Sequence, residues 1–311
     1  MLEFHRLMLA DNARNQAFEK ALKKVIVPGE TVVADIGSGT GFLSFLASKL
    51  GAKECIGYEQ GGMFAVGKAL AEKNGIKNCK FIHKHSAQVK NPVKADVVVS
   101  ETLGNFALEE HIIENMHDAR ERFLKPGGTL IPCALTQFVA PVVTDRLTRS
   151  IDTWGGIGFG LDLSLLRDRT FHNVYVRRIT QADLLGGDDA VQTLDSIDFK
   201  KPNESQRELS VQWKITADHS VFGFAVWWEA LLVPGVSLST SPLAPPTHWE
   251  QIFLPLPSPL VVQSGDALLL SVTSDSRYEV GINVTWEAQV FRGGKEIASS
   301  QKMDMRRGRI E

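Results

Sequence analysis

The chain has little cysteine: three residues in 311, at Cys55, Cys79 and Cys133, with none in a paired spacing. That excludes a disulfide framework and a cysteine-built zinc site, no metal is expected, and a reducing, cytoplasmic compartment follows. Net charge is also scarce, at −2, so nothing suggests direct binding of nucleic acid through bulk electrostatics. Long hydrophobic runs are missing too. The most apolar stretch, VFGFAVWWEALLVPGV, is interrupted by Glu229 and Pro234 and is too short to span a bilayer, so no membrane association is expected. The opening segment MLEFHRLMLADNARN lacks the basic start and apolar core of a signal peptide. There is no internal repeat and no low-complexity tail.

What is present divides into two rhythms. Ala17, Phe18, Ala21, Leu22 and Val25 recur at helical steps and predict an amphipathic helix from Ala13 to Val25, ended by Pro28-Gly29. TVVADIGSGTG then reads as a buried strand entering a glycine-rich turn, and FLSFLASKLGA as a helix closed by Gly51. ECIGYEQ, CKFIHKH and ADVVVSE are further strands, with helices at MFAVGKALAEKNG and from about Leu108 to Phe123, before the turn and strand KPGGTLIP. Strands alternating with helices predict a Rossmann-like parallel sheet with helices on both faces. After Pro132 the pattern changes to short alternating runs such as LTQFVAPVV, ELSVQWKI and EVGINVTWEAQVF, which predict an antiparallel β-barrel domain. We therefore expect domains at 1–132 and 133–311. The segment RLTRSIDTWGGIGFGLDLSLLRDR interrupts the second as a projecting helical arm at about 150–172.

Asp35, Gly37, Ser38, Gly39, Thr40 and Gly41 lie between the first strand and the next helix, where glycines let backbone approach a ligand. The dinucleotide fingerprint G-x-G-x-x-G fails at Phe42, which disfavours a nicotinamide-dependent oxidoreductase. GxGxG after a first strand instead suits S-adenosyl-L-methionine, and Glu59, closing the second strand, can accept both ribose hydroxyls. SETLGNFALEE follows the fourth strand and places Glu101 and Glu110 nine residues apart. Carboxylates beside a core strand call for a cation between them. A guanidinium, planar and permanently charged, fits two carboxylates through parallel charge-assisted hydrogen bonds.

At these residues the chain resembles the protein arginine methyltransferases. HRLMLADNARNQAF is similar to that family's H-x-x-M-L-x-D-x-x-R-x-x-x-Y segment, VADIGSGTG to its first cofactor motif, SETLGNFALEE to its double-glutamate loop, and PPTHWEQ to its threonine-histidine-tryptophan loop. The resemblance implies methyl transfer to arginine in a protein, and it assigns roles. Arg14 would bind the cofactor carboxylate, with His5 nearby. Gly37, Ser38 and Gly39, with Asp35, would line the methionine portion; Glu59 would take the ribose, and Ser86 would stand in the adenine loop. Glu101 and Glu110 would hold the substrate guanidinium, and Met8 would pack at the transfer centre. His248 would pair with Asp11 and relay a proton, and Trp249 would wall the arginine channel. The arm would dock on the cofactor domain of a second subunit, giving a homodimer.

The chain also departs from the family pattern. It begins too late to contain the aromatic-rich N-terminal lid helix, so residues Leu2 to Leu9 or a partner's arm would have to exclude water. Phe18 replaces a tyrosine, Thr102-Leu103 replaces a Trp-Met pair, and Ile112 stands at a methionine position. The adenine loop reads Ser86-Ala87-Gln88 without an acid, so Gln88 or a backbone amide would serve. The alternatives are a methyltransferase for a small guanidino compound or other small nucleophile, and a non-catalytic scaffold. Retention of both glutamates and His248 argues against the scaffold.

Overall fold

The computed structural model describes residues 2–297 and 300–309. Its first half is built on strands β1 (Val32–Ile36), β2 (Glu54–Glu59), β3 (Cys79–His83), β4 (Ala95–Ser100) and β5 (Leu124–Ile131). They pair in parallel in the order β3-β2-β1-β4-β5. β4 lies inside the sheet between β1 and β5, and only Asp96 of its residues is even partly exposed, which is why ADVVVS is apolar nearly throughout. Helices α1 (Leu2–Ala10), α2 (Asn12–Val25), α3 (Phe42–Lys49), α4 (Met63–Lys73) and α5 (Ile112–Asp118) accompany the sheet.

α2 is the helix expected from its periodicity. Asp11 caps it, its carboxylate accepting the Arg14 amide at 2.9 Å. Its inward face buries Arg14, Ala17, Phe18, Ala21 and Leu22. The helix expected from Leu108 begins only at Ile112. Ala107 and His111 take left-handed backbone (φ 69° and 58°), which a continuous helix cannot include. Its last turn, Ala119–Phe123, is widened into a π turn.

The second half contains β6 (Ala134–Val142), α6 (Arg146–Ile151), α7 (Ser164–Phe171), β7 (Tyr175–Arg177), β8 (Gln192–Asp198), β9 (Gln206–Lys214), β10 (His219–Val233) and β11 (Val236–Ser239). It continues with β12 (Gln251–Val262), β13 (Ala267–Asp275), β14 (Asn283–Arg292), β15 (Lys295–Glu296), β16 (Gln301–Asp304) and α8 (Met305–Gly308). These form two antiparallel sheets, β7-β12-β10-β6-β8 with β11 on β10, and β15-β14-β13-β9 with β16 on β14. Trp228 and Trp286 are fully buried in the core, which runs without a break into the first half. The arm is formed by α6, a single turn at Trp154–Gly156, and α7. It leaves Phe159 93% exposed, Leu161 66% and Leu165 69%.

Candidate active site

The chain order in the first sheet reverses between β1 and β4, and ligands of such sheets bind at the carboxyl ends of strands flanking that point. The glycine loop leaves β1 there, Glu59 closes β2, and the two-glutamate loop leaves β4. Gly37 and Gly39 have φ of 71° and 52°, and a Cβ on them would come within 2.9 Å of Thr102 and 3.2 Å of His5. The Gly39 amide donates to Glu59 Oε2 at 2.9 Å and the Gly61 amide to Oε1 at 2.5 Å, so the acid is fixed against the loop it faces. Asp35 turns the other way. It accepts the Ser44 amide at 3.0 Å and hydroxyl at 2.7 Å, and burial pushes its carboxyl up to about 6 against those hydrogen bonds.

A cavity of 490 Å³ opens over these loops, a size suited to a nucleoside-type cofactor. His5, Met8, Arg14, Asp35, Gly37, Ser38, Gly39, Glu59, Ser86, Glu101, Glu110 and His248 line it. α1 supplies Phe4, His5 and Met8 to its wall. Asp11 and Trp249 are not in the lining, and neither is Gln88, which is exposed. His5 Nδ1 and Ser38 Oγ are buried without a hydrogen-bond partner among the described residues. Buried polar atoms of that kind call for a ligand, and with the glycine cradle they fit S-adenosyl-L-methionine.

Arg14 is not free to meet a ligand with its whole fork. Its Nε donates to Glu101 Oε2 at 2.8 Å, and Nη2 makes a shorter contact to the same oxygen. Both side chains are almost wholly buried. Glu101 Oε1 is left with only a long bond, 3.5 Å, from the Leu103 amide. Glu110 has no salt-bridge partner among the described residues. Glu110 is exposed as a residue, but desolvation of its carboxyl at the cavity wall, reinforced by Glu101 and Glu109, pushes that carboxyl up to about 7. His248 lines the same cavity, with Nδ1 2.8 Å from Asp11 Oδ2, and its amide donates to the same oxygen at 2.7 Å. Burial raises the Asp11 carboxyl, but hydrogen bonds from His248 and from the Arg14 and His248 amides outweigh it and leave the net shift downward.

The second half of the chain clamps the two-glutamate loop by its carbonyls. Trp249 Nε1 donates to Leu103 O at 2.7 Å, Trp228 Nε1 to Gly104 O at 3.0 Å, and Gln137 Nε2 to Phe106 O at 2.7 Å. Trp249 therefore acts here as a buried tether. Trp228 and Gln137 escaped the sequence reading. Trp228 looked like one apolar residue of a strand, and Gln137 gave only a faint signal as a polar residue at an inward position of an apolar run.

Both family models that match the chain describe methyltransferases, which sets the class. One, Arginine methyltransferase oligomerization subdomain, covers residues 134–289; the other, Ribosomal protein L11 methyltransferase (PrmA), covers 17–153. The chain belongs to the protein arginine N-methyltransferase family. Among its relatives, Protein arginine N-methyltransferase 6 of Xenopus laevis is 29% identical over 88% of this chain and 83% of its own length. Probable protein arginine N-methyltransferase 6 of Arabidopsis thaliana is 26% identical over 86% of this chain and 72% of its own. The Trypanosoma brucei PRMT1 enzyme-prozyme heterotetrameric complex with AdoHcy shares the fold, with a TM-score of 0.85, 22% identity, and coverage of 97% of this chain and 98% of that one.

Proposed function

We propose that the chain transfers methyl from S-adenosyl-L-methionine to a guanidino nitrogen of arginine in a protein substrate. The observation that carries the reading is Glu110, a carboxylate that has no salt-bridge partner among the described residues and lines the same cavity as the glycine cradle and Glu101. When bound, S-adenosyl-L-methionine supplies a methyl group activated by its sulfonium. Gly37 and Gly39 would admit it at backbone distance, and Glu59 would hold its ribose hydroxyls. Glu110 and the spare Oε1 of Glu101 bind the substrate guanidinium and draw its charge toward the nitrogens they hold. The remaining nitrogen would thereby be left free and held in one orientation as the nucleophile, so positioning would supply much of the rate. His248, aligned through Nδ1 by Asp11, takes up the proton the nitrogen loses at its Nε2. Met8 and Phe4 of α1 keep water from the transfer site.

The proposal extends to assembly and place. Residues 1–132 bind the cofactor, and residues 133–311 clamp the loop and carry the arm. The exposed Phe159, Leu161 and Leu165 form a face for the first domain of a second copy, giving a homodimer. The free thiols of Cys55, Cys79 and Cys133 accord with a cytoplasmic setting.

Calorimetric titration tests the reading at the level of binding. S-adenosylhomocysteine is expected to bind, and an arginine-rich peptide to bind that complex but not its Glu110→Gln variant. Tighter binding of a nicotinamide dinucleotide than of S-adenosylhomocysteine would overturn it.

A further inference from the structure

Beyond the glutamates, the loop between β13 and β14, from the second half of the chain, meets the C-terminal end of the two-glutamate loop. Tyr278 Oη donates to Asn115 Oδ1 at 2.7 Å. The amide group of Asn115, 7% exposed, donates in turn to the carbonyl of Glu110 at 3.0 Å and to Thr102 Oγ1 at 3.4 Å. Thr102 Oγ1 lies 3.3 Å from Ser100 Oγ at the end of β4, and Ser100 Oγ donates to Ile36 O at the end of β1. One amide side chain therefore ties both ends of the two-glutamate loop together, and one phenol fixes which way that amide faces.

A second contact runs beside the first. His111 Nδ1 lies 2.9 Å from the carbonyl of Ser276, so Nδ1 carries the hydrogen. The His111 ring also packs on the ring of Tyr278, with centroids 4.6 Å apart. His111 follows Glu110 directly and holds left-handed backbone at φ 58°. A residue other than glycine persists there only where its surroundings impose it, and the Ser276–Tyr278 contacts are such surroundings. They fix the direction in which the chain leaves Glu110, and hence where the carboxylate points.

We infer that Tyr278 is a positioning residue for Glu110, acting through Asn115 to hold the carboxylate where the substrate guanidinium must dock. This rests on the methyl-transfer reading for its consequence, but the mechanical link does not. Tyr278 does not itself line the cavity; its ring meets His85 edge-on beside the adenine loop, with centroids 5.8 Å apart, while its hydroxyl serves to orient Asn115. Removing that hydroxyl leaves the ring packing intact and frees the Asn115 amide to rotate. The Glu110 carbonyl oxygen then loses the fixed Asn115 amide that donates to it.

The test is Tyr278→Phe in the full chain, read in two ways. Hydrogen–deuterium exchange is followed over residues 104–113, with the strands of the second half as internal reference. Kinetics on an arginine-rich peptide are followed beside S-adenosylhomocysteine affinity. The expected result is exchange about fivefold faster in that segment alone, as the loss of one hydrogen bond permits. Turnover falls by about the same factor, while peptide KM and cofactor affinity stay within about twofold. Adding Tyr278→Phe to Asn115→Leu is expected to cost nothing further, since both remove one link. Unchanged exchange, unchanged turnover, additive losses or a parallel loss of cofactor affinity would each overturn the assignment. Faster exchange in a chain whose wild type leaves the peptide unmethylated would support the link and count against the reaction.

Discussion

Arg14 and Glu101 form a buried ion pair at the junction of α2 and the two-glutamate loop. One of the two carboxylates read as a substrate site thus already holds an arginine from its own chain. Breaking such a pair strands a charge out of water. Arg14→Met is expected to destabilise the fold by about 3–5 kcal/mol, and Glu101→Gln to do the same by stranding the guanidinium. The double variant should lose less than the sum, because neither charge is then left alone. Denaturant unfolding of the four proteins checks this; strict additivity would deny the coupling.

Glu110 controls a pH dependence. Desolvation at the cavity wall, then Glu101 and Glu109, push its carboxyl up to about 7. The folded chain holds this proton more tightly than the unfolded chain. The associated stability is complete below the ordinary value of 4.5 and is lost as pH rises through 7. Activity runs the opposite way, because only the carboxylate binds a guanidinium. A profile of kcat/KM over about pH 5.5–9 is expected to rise with a limb near 7. A flat acid side would show that Glu110 is ionised throughout or uninvolved.

Gly39→Ala puts a methyl group into the cradle at left-handed φ, 3.2 Å from the ring of His5. The strain is about 1–2 kcal/mol, so the protein is expected to fold with its thermal midpoint lowered by a few degrees. S-adenosylhomocysteine affinity should fall by at least about tenfold, since backbone approach is what the loop provides. Retained affinity would move the cofactor away from this loop.

The arm's apolar face makes an assembly prediction. Phe159→Glu with Leu165→Glu places charge on side chains that are 93% and 69% exposed and bear no core packing. Stability of the single chain should change by no more than about 0.5 kcal/mol. Sedimentation should shift from dimer to monomer. A wild-type chain that sediments as a monomer would remove the arm's proposed role.

Much of this was legible in the sequence because the relevant constraints are local. The glycine loop, the β-branched strand before Glu101 and the periodicity of α2 each state their structure within a few residues. The same holds for most of the candidate residues that line one cavity, which stand near a strand end or on an N-terminal helix, whereas Glu110 and His248 lie in loops. What the sequence did not show depends on pairing across long separations. Nothing local says that Arg14 will meet Glu101, or that Trp228, Gln137 and Tyr278 will hold a loop more than thirty residues away. The shortened α5 was hidden for another reason. Leu108–His111 has helical composition, and the left-handed residues Ala107 and His111 carry no glycine to announce them. β7 and β8 were missed because YVR is too short and QTLDSID too polar to read as strands.

The most direct measurement is transfer of labelled methyl from S-adenosyl-L-methionine to an arginine-rich peptide and, in parallel, to free arginine, followed by total hydrolysis. Glu110→Gln serves as control, with its cofactor affinity expected to stay within about tenfold of wild type. The account predicts labelled methylarginine from the peptide with the wild-type chain, and none with the variant. Label on free arginine with none on the peptide, or equal labelling by the variant, would contradict it.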